Sequence, residues 1–378
     1  MSKLFLPYAA QFDLMNENLA KIANAIASDI DLSTWAGIQK AVRVGVAPDL
    51  LPVGTQLAVD HSVYGTHLYD VVAHNYFKSA HDENAHTMTL MCHDLIRGMQ
   101  YDRIEAFYYA DTSLSAGTYN FTIPETVGNW KAGTYYFTLS NNIPVGGQLW
   151  IEGSSDTALT SLSVISYATQ TTTTPIESVS IGQGDSGTNL GTFGTELNRT
   201  ERAAYGSDNY KESAIRQFLN SSAGAGSVWN PTTKFDRPPR WASDTAGFLN
   251  GLESEFVAVL GDVMIPCCTN GKYENPNSTT EAGKKYTLVD KVCLASQTEI
   301  LGVSTSTVGD DSKIFPYYDT AISTDRIKYL SGVSAIWWTR TPATEGANAV
   351  RIVTQSGGAS SNYASTDGRG VAPVCTIV

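Results

Sequence analysis

Cysteine and histidine are the residues of this chain with the widest range of chemistry. The cysteines are Cys92, Cys267, Cys268, Cys293 and Cys375. An odd number of cysteines without regular spacing does not predict a disulfide framework. Cys267 and Cys268 are adjacent within 263–268, an apolar run typical of a strand. We therefore expect buried free thiols, with a reactive cysteine pair as the alternative.

The histidines all lie in the N-terminal third of the chain, and their spacing decides whether they could bind a metal. They occupy positions 61, 67, 74, 81, 86 and 93. Metal sites on helices favour histidines at positions i and i+4, and sites on strands favour alternate residues. Neither spacing occurs here. We expect hydrogen-bonded or surface histidines, no metal site and no cofactor.

The C-terminal region has an apolar frame around a segment of small polar residues. The frame consists of 335–342, which includes Trp337 and Trp338, and of 370–378. The framed segment, 343–369, contains mostly Ala, Ser, Thr, Gly, Asn and Asp. Adjacent tryptophans and an apolar strand add to stability only when they are buried. The framed segment has too little apolar surface for a core, so we expect the frame to display it as a binding surface.

The composition is that of a folded, acidic protein. The chain has 378 residues, 42% of them hydrophobic, which leaves room for more than one domain. A formal net charge of −12 without a basic cluster argues against binding to nucleic acid or anionic lipid. No apolar run approaches the roughly 20 residues that span a bilayer, so we expect no membrane insertion. The N-terminal residues are a poor secretory signal, and no signal peptide is expected.

The N-terminal part is predicted to begin with a helix and to continue as strands. Over 8–27, apolar residues are spaced alternately three and four apart, as in a heptad seam. These residues are Phe12, Met15, Leu19, Ile22 and Ile26. The helix either packs on its own domain or drives oligomerisation. Strands are predicted at 42–46, 54–60, 68–73 and 87–95.

A near-repeat in the middle of the chain predicts an antiparallel β-sandwich. The segments 116–123 and 132–139 both begin Ala-Gly-Thr-Tyr and then place Phe and an aliphatic residue around Thr. This period of two is typical of a half-buried strand. Further strands are predicted at 148–152 and 159–167. The stretch 182–194, rich in Gly, Ser and Thr, is predicted to be a linker or loop.

Two helices are predicted beyond that stretch. The first covers 210–219, and Ser243 or Asp244 would cap the second. The second helix carries apolar residues at helical spacing, namely Phe248, Leu249, Leu252, Phe256 and Leu260.

The order of several segments resembles a known family. The segments are 209–220, 247–252, Lys291-Val292-Cys293-Leu294-Ala295-Ser296-Gln297-Thr298-Glu299-Ile300-Leu301-Gly302, Trp337-Trp338-Thr339-Arg340-Thr341-Pro342 and Gly370-Val371-Ala372-Pro373-Val374. In this order they resemble variable proteins with a C-type lectin fold that are diversified by diversity-generating retroelements. Phage tropism determinants and gut-phage variable proteins belong to that group. The fold is shared more distantly with formylglycine-generating enzymes.

The resemblance covers about 40–104 and 205–378 and implies the fold class α+β. The implied architecture is a C-type lectin fold with an inserted antiparallel, Ig-like β-sandwich and an N-terminal helix. Its parts are a helical segment at 1–36, lectin-like parts at 37–104 and 205–378, the inserted sandwich at 105–180, and a linker at 181–204. Inserted domains have neighbouring ends, so the insertion is compatible with one continuous core.

The resemblance also implies a variable region at about 337–378. Family members diversify asparagine codons, whose variants at the first two positions cannot encode Lys, Glu, Gln, Met or Trp. The stretch 339–378 contains no Lys, Met or Trp, whereas Glu345 and Gln355 depart from the pattern. If Val350 and Ile352 point into the frame, alternation along the strand directs Arg351, Val353 and Gln355 outward.

These considerations define the candidate site. The predicted ligand-binding residues are Ala347, Ala349, Arg351, Val353, Gln355, Ala359, Ser361, Asn362, Tyr363, Ser365, Asp367 and Arg369. Tyr363 with Arg351 or Arg369 would be the energetic anchors, because Tyr and Arg dominate binding hot spots. The predicted scaffold of the site is Trp337, Trp338, Arg340 and Pro342.

The predicted function is non-catalytic binding of a protein or glycan on a host cell surface. The chain would be a phage virion or surface-displayed protein, and a homo-oligomer, with a trimer favoured. A formylglycine-generating enzyme is the catalytic alternative and would need a reactive cysteine pair in a cleft. A second alternative is a calcium-dependent lectin, which is not an enzyme. Its calcium-binding motif is matched only superficially by Glu274-Asn275-Pro276-Asn277. The third is a structural virion protein or a carbohydrate-binding adhesin that makes no use of the framed segment.

Overall fold

The computed structural model describes 30–102, 208–230, 239–270, 282–302, 309–344 and 349–378. It also describes Met15 and, between 106 and 201, seven strands with a few adjoining residues. The helix predicted over 8–27 lies outside the described residues except for Met15, and so does the calcium-type motif at 274–277.

The described part is a mixed α and β structure that consists mostly of sheets with few, short helices. The helices are α1 Trp35–Arg43, α2 Ala47–Leu50, α3 Ala214–Leu219, α4 Phe248–Gly251, α5 Ser254–Val259 and α6 Gln297–Leu301. Short 3₁₀ helices occur at Tyr210–Glu212, Arg240–Ser243, Pro316–Tyr318 and Ser323–Arg326. Within the described ranges, every helix is too short or too polar to cross a membrane.

One antiparallel sheet joins the N-terminal and C-terminal parts of the chain. In spatial order its strands are β1 Gln56–His61, β2 Gly65–His74, β4 Met88–Cys92, β22 Pro373–Ile377 and β15 Val292–Leu294. β22 occupies an inner position, with Cys375 opposite Leu90 on one side and Val292 on the other. Every residue of β4 and β22 is buried, so both faces of the sheet are covered there.

A second five-stranded sheet contains the apolar frame. Its strands, in spatial order, are β20 Ala359–Tyr363, β19 Ala349–Val353, β18 Trp337–Pro342, β21 Arg369–Gly370 and β5 Gly98–Met99. β18 pairs in parallel with β21 through Trp337 and Gly370. The two halves of the frame therefore meet in one sheet, beside the strands formed by the framed segment.

The remaining strands of this part form smaller units. A three-stranded sheet has the order β14 Ala282–Asp290, β13 Val263–Asn270 and β3 Lys78–Ser79. The strand predicted at 263–268 is thus confirmed as part of β13. β16 Lys328–Leu330 and β17 Val333–Ala335 form a hairpin directly before β18.

Helix α1 overturns the strand predicted at 42–46. Gly37 N donates to Thr34 Oγ1 at 3.1 Å, which caps the helix. Trp35, Ile38 and Ala41 are buried on one face, and the rings of Trp35 and Phe256 lie 4.5 Å apart. The prediction is wrong because it followed a short β-branched run and missed the helical spacing from Trp35 onward. The strands predicted at 54–60, 68–73 and 87–95 are confirmed, with shifted ends, as β1, β2 and β4.

The single helix predicted from Ser243 or Asp244 is also wrong, because two short helices take its place. α4 begins after Gly247, and a Cβ there would lie 2.1 Å from Ser221 O, so only glycine allows this close approach. Leu252 is extended and forms a bridge with His61, which separates α4 from α5. The apolar residues at helical spacing still reach the core, since Phe248, Leu252 and Phe256 are buried.

Between 106 and 201 the described strands form two sheets, and each pairs only within this region. One sheet has the order β10 Leu162–Tyr167, β9 Gln148–Gly153, β6 Ala106–Tyr109 and β12 Thr200–Glu201. The other has the order β11 Thr192–Phe193, β7 Gly117–Ile123 and β8 Gly133–Leu139. The two copies of the near-repeat are β7 and β8, paired with Tyr119 opposite Phe137. β11 and β12, which join these sheets, lie within the segment 181–204 that was predicted to be a linker.

Candidate functional site

The framed segment forms a hairpin whose two strands differ sharply in exposure. β19 and β20 pair antiparallel, with Arg351 opposite Ser361 and Val353 opposite Ala359. All five residues of β19 are buried, whereas β20 is exposed at its start and half-buried at its end. β20 lies at the edge of its sheet among the described strands. The hairpin therefore presents one strand to solvent and uses the other as a base.

The outward orientation predicted for β19 is wrong. Arg351 is 6% exposed and Val353 is fully buried, and Ala349 is buried too. The alternation argument assumed a strand with one solvent face, but all five residues of β19 are buried, so both of its faces are covered. A register shift between Trp338 and Pro342 on β18 further disturbs any simple alternation.

The other predicted contact residues differ in exposure, and one of them is not described. Gln355, Ala359 and Asp367 are exposed, and Ser361, Asn362, Tyr363 and Arg369 are half-buried. Ser365 is fully buried, and Gln100 Nε2 donates to its carbonyl oxygen at 2.6 Å, so its predicted exposure is wrong. Ala347 lies outside the described residues. The surface that remains consists of the turn 354–358, β20 and 366–369.

A local polar network orders the end of this surface. With its amide oriented to satisfy both partners, the Asn362 oxygen accepts from Arg369 Nε at 2.9 Å and its nitrogen donates to Thr366 Oγ1 at 3.2 Å. Gly368 N donates to Asp367 Oδ1 at 2.8 Å. These contacts fix the loop between β20 and β21, so Arg369 is held against the sheet instead of extending into solvent.

The two tryptophans of the frame are buried and hydrogen-bonded. Trp338 Nε1 donates to Met99 O at 2.9 Å, and Trp337 Nε1 donates to Arg326 O at 3.2 Å. Both side chains are fully buried. Each indole thus removes a large apolar surface from water without losing its one hydrogen bond.

Arg340 is the charged centre of the base on which the hairpin rests. Its Nη1 and Nη2 donate to the two carboxylate oxygens of Glu299, both at 2.6 Å, and both side chains are fully buried. The remaining N–H groups donate to Leu294 O, Pro266 O and Ser312 Oγ. Burial disfavours the charge, but Glu299 outweighs this effect and raises the pKa of Arg340. Pro342, the fourth predicted scaffold residue, is buried as well.

The turn 354–358 packs against two other elements. Gly357 has φ +78°, and a Cβ there would lie 1.6 Å from Ser323 O of the 3₁₀ helix Ser323–Arg326. On the other side, Gln355 Nε2 donates to Ser334 O of β17 at 3.2 Å. The turn is therefore clamped between these elements and is not a free loop.

Three large exposed apolar side chains lie on or next to the elements that the turn contacts, and the sequence gives no signal for them. Ile322 precedes the 3₁₀ helix, and Tyr329 and Val333 belong to the β16–β17 hairpin. Strands of only three residues are too short to give a periodic signal. Only the two-residue Ser331-Gly332 turn, with both residues at positive φ, marks the hairpin in the sequence.

Comparison with known proteins covers this half of the chain. A family described as a domain of unknown function (DUF6273) matches residues 181–378, slightly more than half of the chain. The chain belongs to the DUF6273 family. The matched residues include β13 to β22, and therefore the whole hairpin, its base and the flanking apolar residues. No curated protein and no solved structure matches the chain.

The cysteines of this DUF6273 protein have the environment of structural thiols. All five are free and buried, as the sequence predicted. Burial raises the pKa of the Cys267 thiol to about 12 and also raises that of Cys268. The thiolate is the nucleophile in cysteine chemistry, so neither residue of the adjacent pair is activated.

The histidines are hydrogen-bonded, as predicted. His61 Nε2 bonds with Phe248 O at 2.9 Å and His93 Nδ1 with Asp70 Oδ2 at 2.8 Å, and the other four also have partners. In the described ranges, no three His, Cys, Asp or Glu side chains are grouped so that they could hold a metal ion.

Proposed function

We propose that this protein is a non-catalytic binding protein that displays β20, the turn 354–358 and 366–369 on a scaffold of C-type lectin type. The observation that carries the proposal is the difference in burial between the two strands of the β19–β20 hairpin. β19 is buried along its whole length, and β20 exposes Ala, Ser and Asn side chains that contribute little to the core. A surface of this kind can change its residues while the fold persists.

The base of the hairpin supports this separation of binding from stability. Trp337, Trp338 and the Arg340–Glu299 pair are buried and satisfied without any side chain of β20. Rigid support lowers the entropy cost of binding, because the displayed residues are already positioned. The surface is therefore pre-organised for contact.

The ligand that fits this proposal is a protein or glycan on a host cell, bound by a phage virion or surface-displayed protein. The resemblance to retroelement-diversified proteins supports it, as does the absence of Lys, Met and Trp from 339–378. Several copies of the protein on one particle would bind with avidity, even if each contact is weak. A near-copy of the coding sequence for 335–378 beside a reverse transcriptase gene would be independent support.

The proposed absence of catalysis rests on the thiols. A formylglycine-type reaction needs a cysteine that can reach its substrate as a thiolate, and Cys267 and Cys268 are both buried with raised pKa values. Incubation with a sulphatase-type cysteine peptide and oxygen should give no aldehyde product. Turnover in that assay would contradict the proposal.

A pair of matched libraries tests the proposed display surface. The first randomises the exposed or half-buried positions Gln355, Ala359, Ser361, Tyr363 and Asp367. The second randomises the buried positions Ala349, Arg351, Val353 and Ser365. We expect most members of the first library to keep the parental melting temperature and to yield binders to new targets, and most members of the second to unfold. Equal loss of folding in both libraries would contradict the proposal.

A further inference from the structure

Strand β20 has one edge that no other described strand covers. It pairs with β19 on one side, and it is the outermost strand of its sheet among the strands that the structure describes. Ala359 and Ser360 are exposed, and Ser361 is half-buried. An edge strand presents unpaired N–H and C=O groups that can pair with another chain. The direction of the main-chain groups of each residue therefore decides what this edge can bind.

The hydrogen bonds of β19 fix the direction of its main-chain groups. Arg351 O accepts from Thr339 Oγ1 at 2.7 Å, so the N–H and C=O groups of Arg351 point toward β18. Successive residues of a strand direct these groups to opposite sides, and those of Ile352 therefore point toward β20. The bond from Thr354 N to Gly358 O, at 2.8 Å, continues the same alternation into the turn.

The register of the hairpin transfers this alternation to β20. Ile352 lies opposite Ser360, and Arg351 lies opposite Ser361. Ser360 therefore exchanges its main-chain bonds with β19, whereas the N–H and C=O groups of Ser361 point away from β19. Ala359 has the same direction as Ser361, since it lies two residues away. Within the described ranges, no further hydrogen bond reaches the main chain of Ala359 or Ser361.

Both outer edges of the other five-stranded sheet carry hydrogen bonds of this kind. At β1, Glu253 N donates to Asp60 O at 3.0 Å, and Asp60 N donates to Glu253 Oε1 at 3.3 Å. At β15, the side-chain amide of Asn220 accepts from Val292 N at 3.1 Å and donates to Val292 O at 2.8 Å. The main-chain groups of these two edge residues are thus satisfied, in contrast to those of β20.

β20 also lacks the features by which proteins protect an edge strand. Such features are lysine or another charged residue, proline and a β-bulge. The strand Ala359–Tyr363 consists of Ala, Ser, Asn and Tyr, and its register with β19 shows no shift. Small, uncharged side chains leave the edge open to a second backbone.

We propose that the open edge of β20 binds an extended segment of a partner protein, which adds to the sheet as a further strand. The inference rests on the proposed function, because it names the chemistry of the ligand that the displayed surface would meet. Main-chain bonds with Ala359 and Ser361 would supply affinity, and side chains of β20 and of the turn 354–358 would supply specificity. The main-chain bonds would persist when those side chains change, as a display surface with interchangeable residues requires.

Other occupants fit this edge less well. A second copy of the chain would pair its own β20 here and bury the displayed surface of both copies, and two chains with a net charge of −12 repel each other. A glycan lacks the amide donors and carbonyl acceptors that repeat every two residues of a strand, about 6.7 Å apart. The same net charge favours a neutral or basic protein segment over an acidic one.

A short synthetic peptide tests the proposal on the full-length protein. Thr and Val alternate along it between terminal lysines, and every Val nitrogen is methylated. A methylated nitrogen, like that of proline, cannot donate, so this peptide keeps one free edge and cannot build continuous sheets with itself. The control peptide is methylated on the Thr nitrogens as well and has no free edge. We expect the first peptide to bind at least about tenfold more tightly than the control.

Amide hydrogen exchange, resolved by NMR, locates the bound strand without any substitution. In the free protein the amide protons of Ala359 and Ser361 should exchange rapidly. Those of Ser360 and Asn362 should exchange slowly, because they bond to β19. Addition of the first peptide should protect Ala359 and Ser361, and addition of the control peptide should not.

Proline substitutions remove single N–H groups from the two sides of the strand. Ser361→Pro deletes an outward N–H, at a position where edge strands tolerate proline, and should weaken binding of the first peptide about tenfold. Ser361→Ala removes only the hydroxyl group and should bind as the wild type does. Ser360→Pro deletes an N–H that bonds to β19 and should lower the melting temperature. If Ser361→Pro unfolds, the exchange measurement decides in its place.

The outcomes separate this inference from the proposed function. No binding of the first peptide, equal binding of both peptides, or rapid exchange of Ala359 and Ser361 in the complex would overturn the strand-addition proposal. So would a dimer of the free protein that dissociates in Ser361→Pro, since a second copy would then be the occupant.

The exposed-position library supplies the remaining distinction. If a binder from that library keeps its affinity after proline replaces its residue at position 361, the display surface stands and the strand-addition proposal falls. If the library yields folded variants and no binders while the first peptide protects Ala359 and Ser361, the proposed function falls and the edge of β20 stands as a peptide-binding site.

Discussion

Arg340 places a full positive charge where water does not reach it. The guanidinium donates to the Glu299 carboxylate and to three further acceptors, which together use its N–H groups, and the buried carboxylate of Asp310 lies 3.6 Å from its Nη2. A buried pair of this kind adds little net stability, but breaking it is costly because the remaining charge has no compensation. The residue therefore fixes the position of β18 relative to α6 more than it drives folding.

Arg340→Met should lower the free energy of unfolding by about 3–5 kcal/mol, since Glu299 would remain buried without its partner. Adding Glu299→Leu to that variant should restore part of the loss, because the buried Glu299 carboxylate would be gone and only Asp310 would remain without its cationic neighbour. Urea unfolding of the two variants beside the wild type measures both effects. A double variant less stable than the single one would show that the charge is not the source of the loss.

His93 and Asp70 give the folded state a pH dependence. The hydrogen bond with Asp70 raises the pKa of His93 above its usual 6.5. Burial by itself raises the pKa of Asp70, but the hydrogen bonds with His93 and Gln56 have a larger, opposite effect. The pKa of Asp70 is therefore lowered from its usual 3.8. The His93 contribution is thus present below pH 6.5 and lost as pH rises through the raised value, and the Asp70 contribution is lost only in acid.

The destabilisation caused by His93→Gln should accordingly be greater below pH 6.5 than at a pH well above the raised pKa of His93, where the wild-type imidazole has lost its charge. Chemical unfolding at several pH values checks this. In an Asp70→Asn background the same substitution should show little pH dependence, since the carboxylate that holds the proton is gone. A pH-independent effect in the wild-type background would contradict the assignment.

At the scale of elements, the turn between β19 and β20 depends on one residue. Gly357 has a left-handed backbone and lies against Ser323 O, whereas a Cβ at Gly358 would have its nearest neighbour, Thr354 Oγ1, at 3.5 Å. Adjacent glycines of the same turn therefore face opposite constraints.

Gly357→Ala should cost at least the roughly 1–3 kcal/mol of a strained backbone, and the contact with Ser323 should displace the turn. Gly358→Ala should change the unfolding free energy by less than about 0.5 kcal/mol. Unfolding curves compare the two. Equal effects of the two substitutions would refute the clamped geometry.

The elements that could be predicted from the sequence are those with a clear local pattern of apolar and polar residues. β7 and β8 were found because their alternation is undisturbed, and β13 because its apolar run is long. β19 is a strand, as predicted, but its residues are not turned to solvent as predicted. An alternating pattern cannot reveal that both faces of the strand are covered. The exposure of Val333 and the clamping of Gly357 depend on contacts with distant segments, which no local pattern encodes.

At the scale of the whole molecule, the region between 106 and 201 is attached to the rest through neighbouring residues. Ile215 N donates to Tyr101 O at 3.0 Å, and the rings of Tyr101 and Tyr210 lie 6.3 Å apart. The described strands of the region pair only with each other. The residues on either side of the region, Tyr101 and Ile215, are thus hydrogen-bonded to each other within the remaining structure.

Replacing 106–201 with a short Gly-Ser linker should leave the remainder folded, with a melting temperature within about 4 °C of the full chain. Near-ultraviolet circular dichroism from the buried tryptophans is the readout. Replacing β13 and β14 with a similar linker is the contrast and should abolish the signal, because β13 contacts both β18 and β3. Unfolding of the first variant would show that the region is part of the core.

β22 is an inner strand of its sheet, yet it is the last of the described strands to leave the ribosome. β1, β2 and β4 are synthesised early but must wait, with the inner edge of β4 unpaired, until residues 373–377 emerge. The displayed hairpin is completed just before that closing step. A framed segment that cannot fit beside β18 would therefore prevent this closing step and leave the inner edge of β4 unpaired.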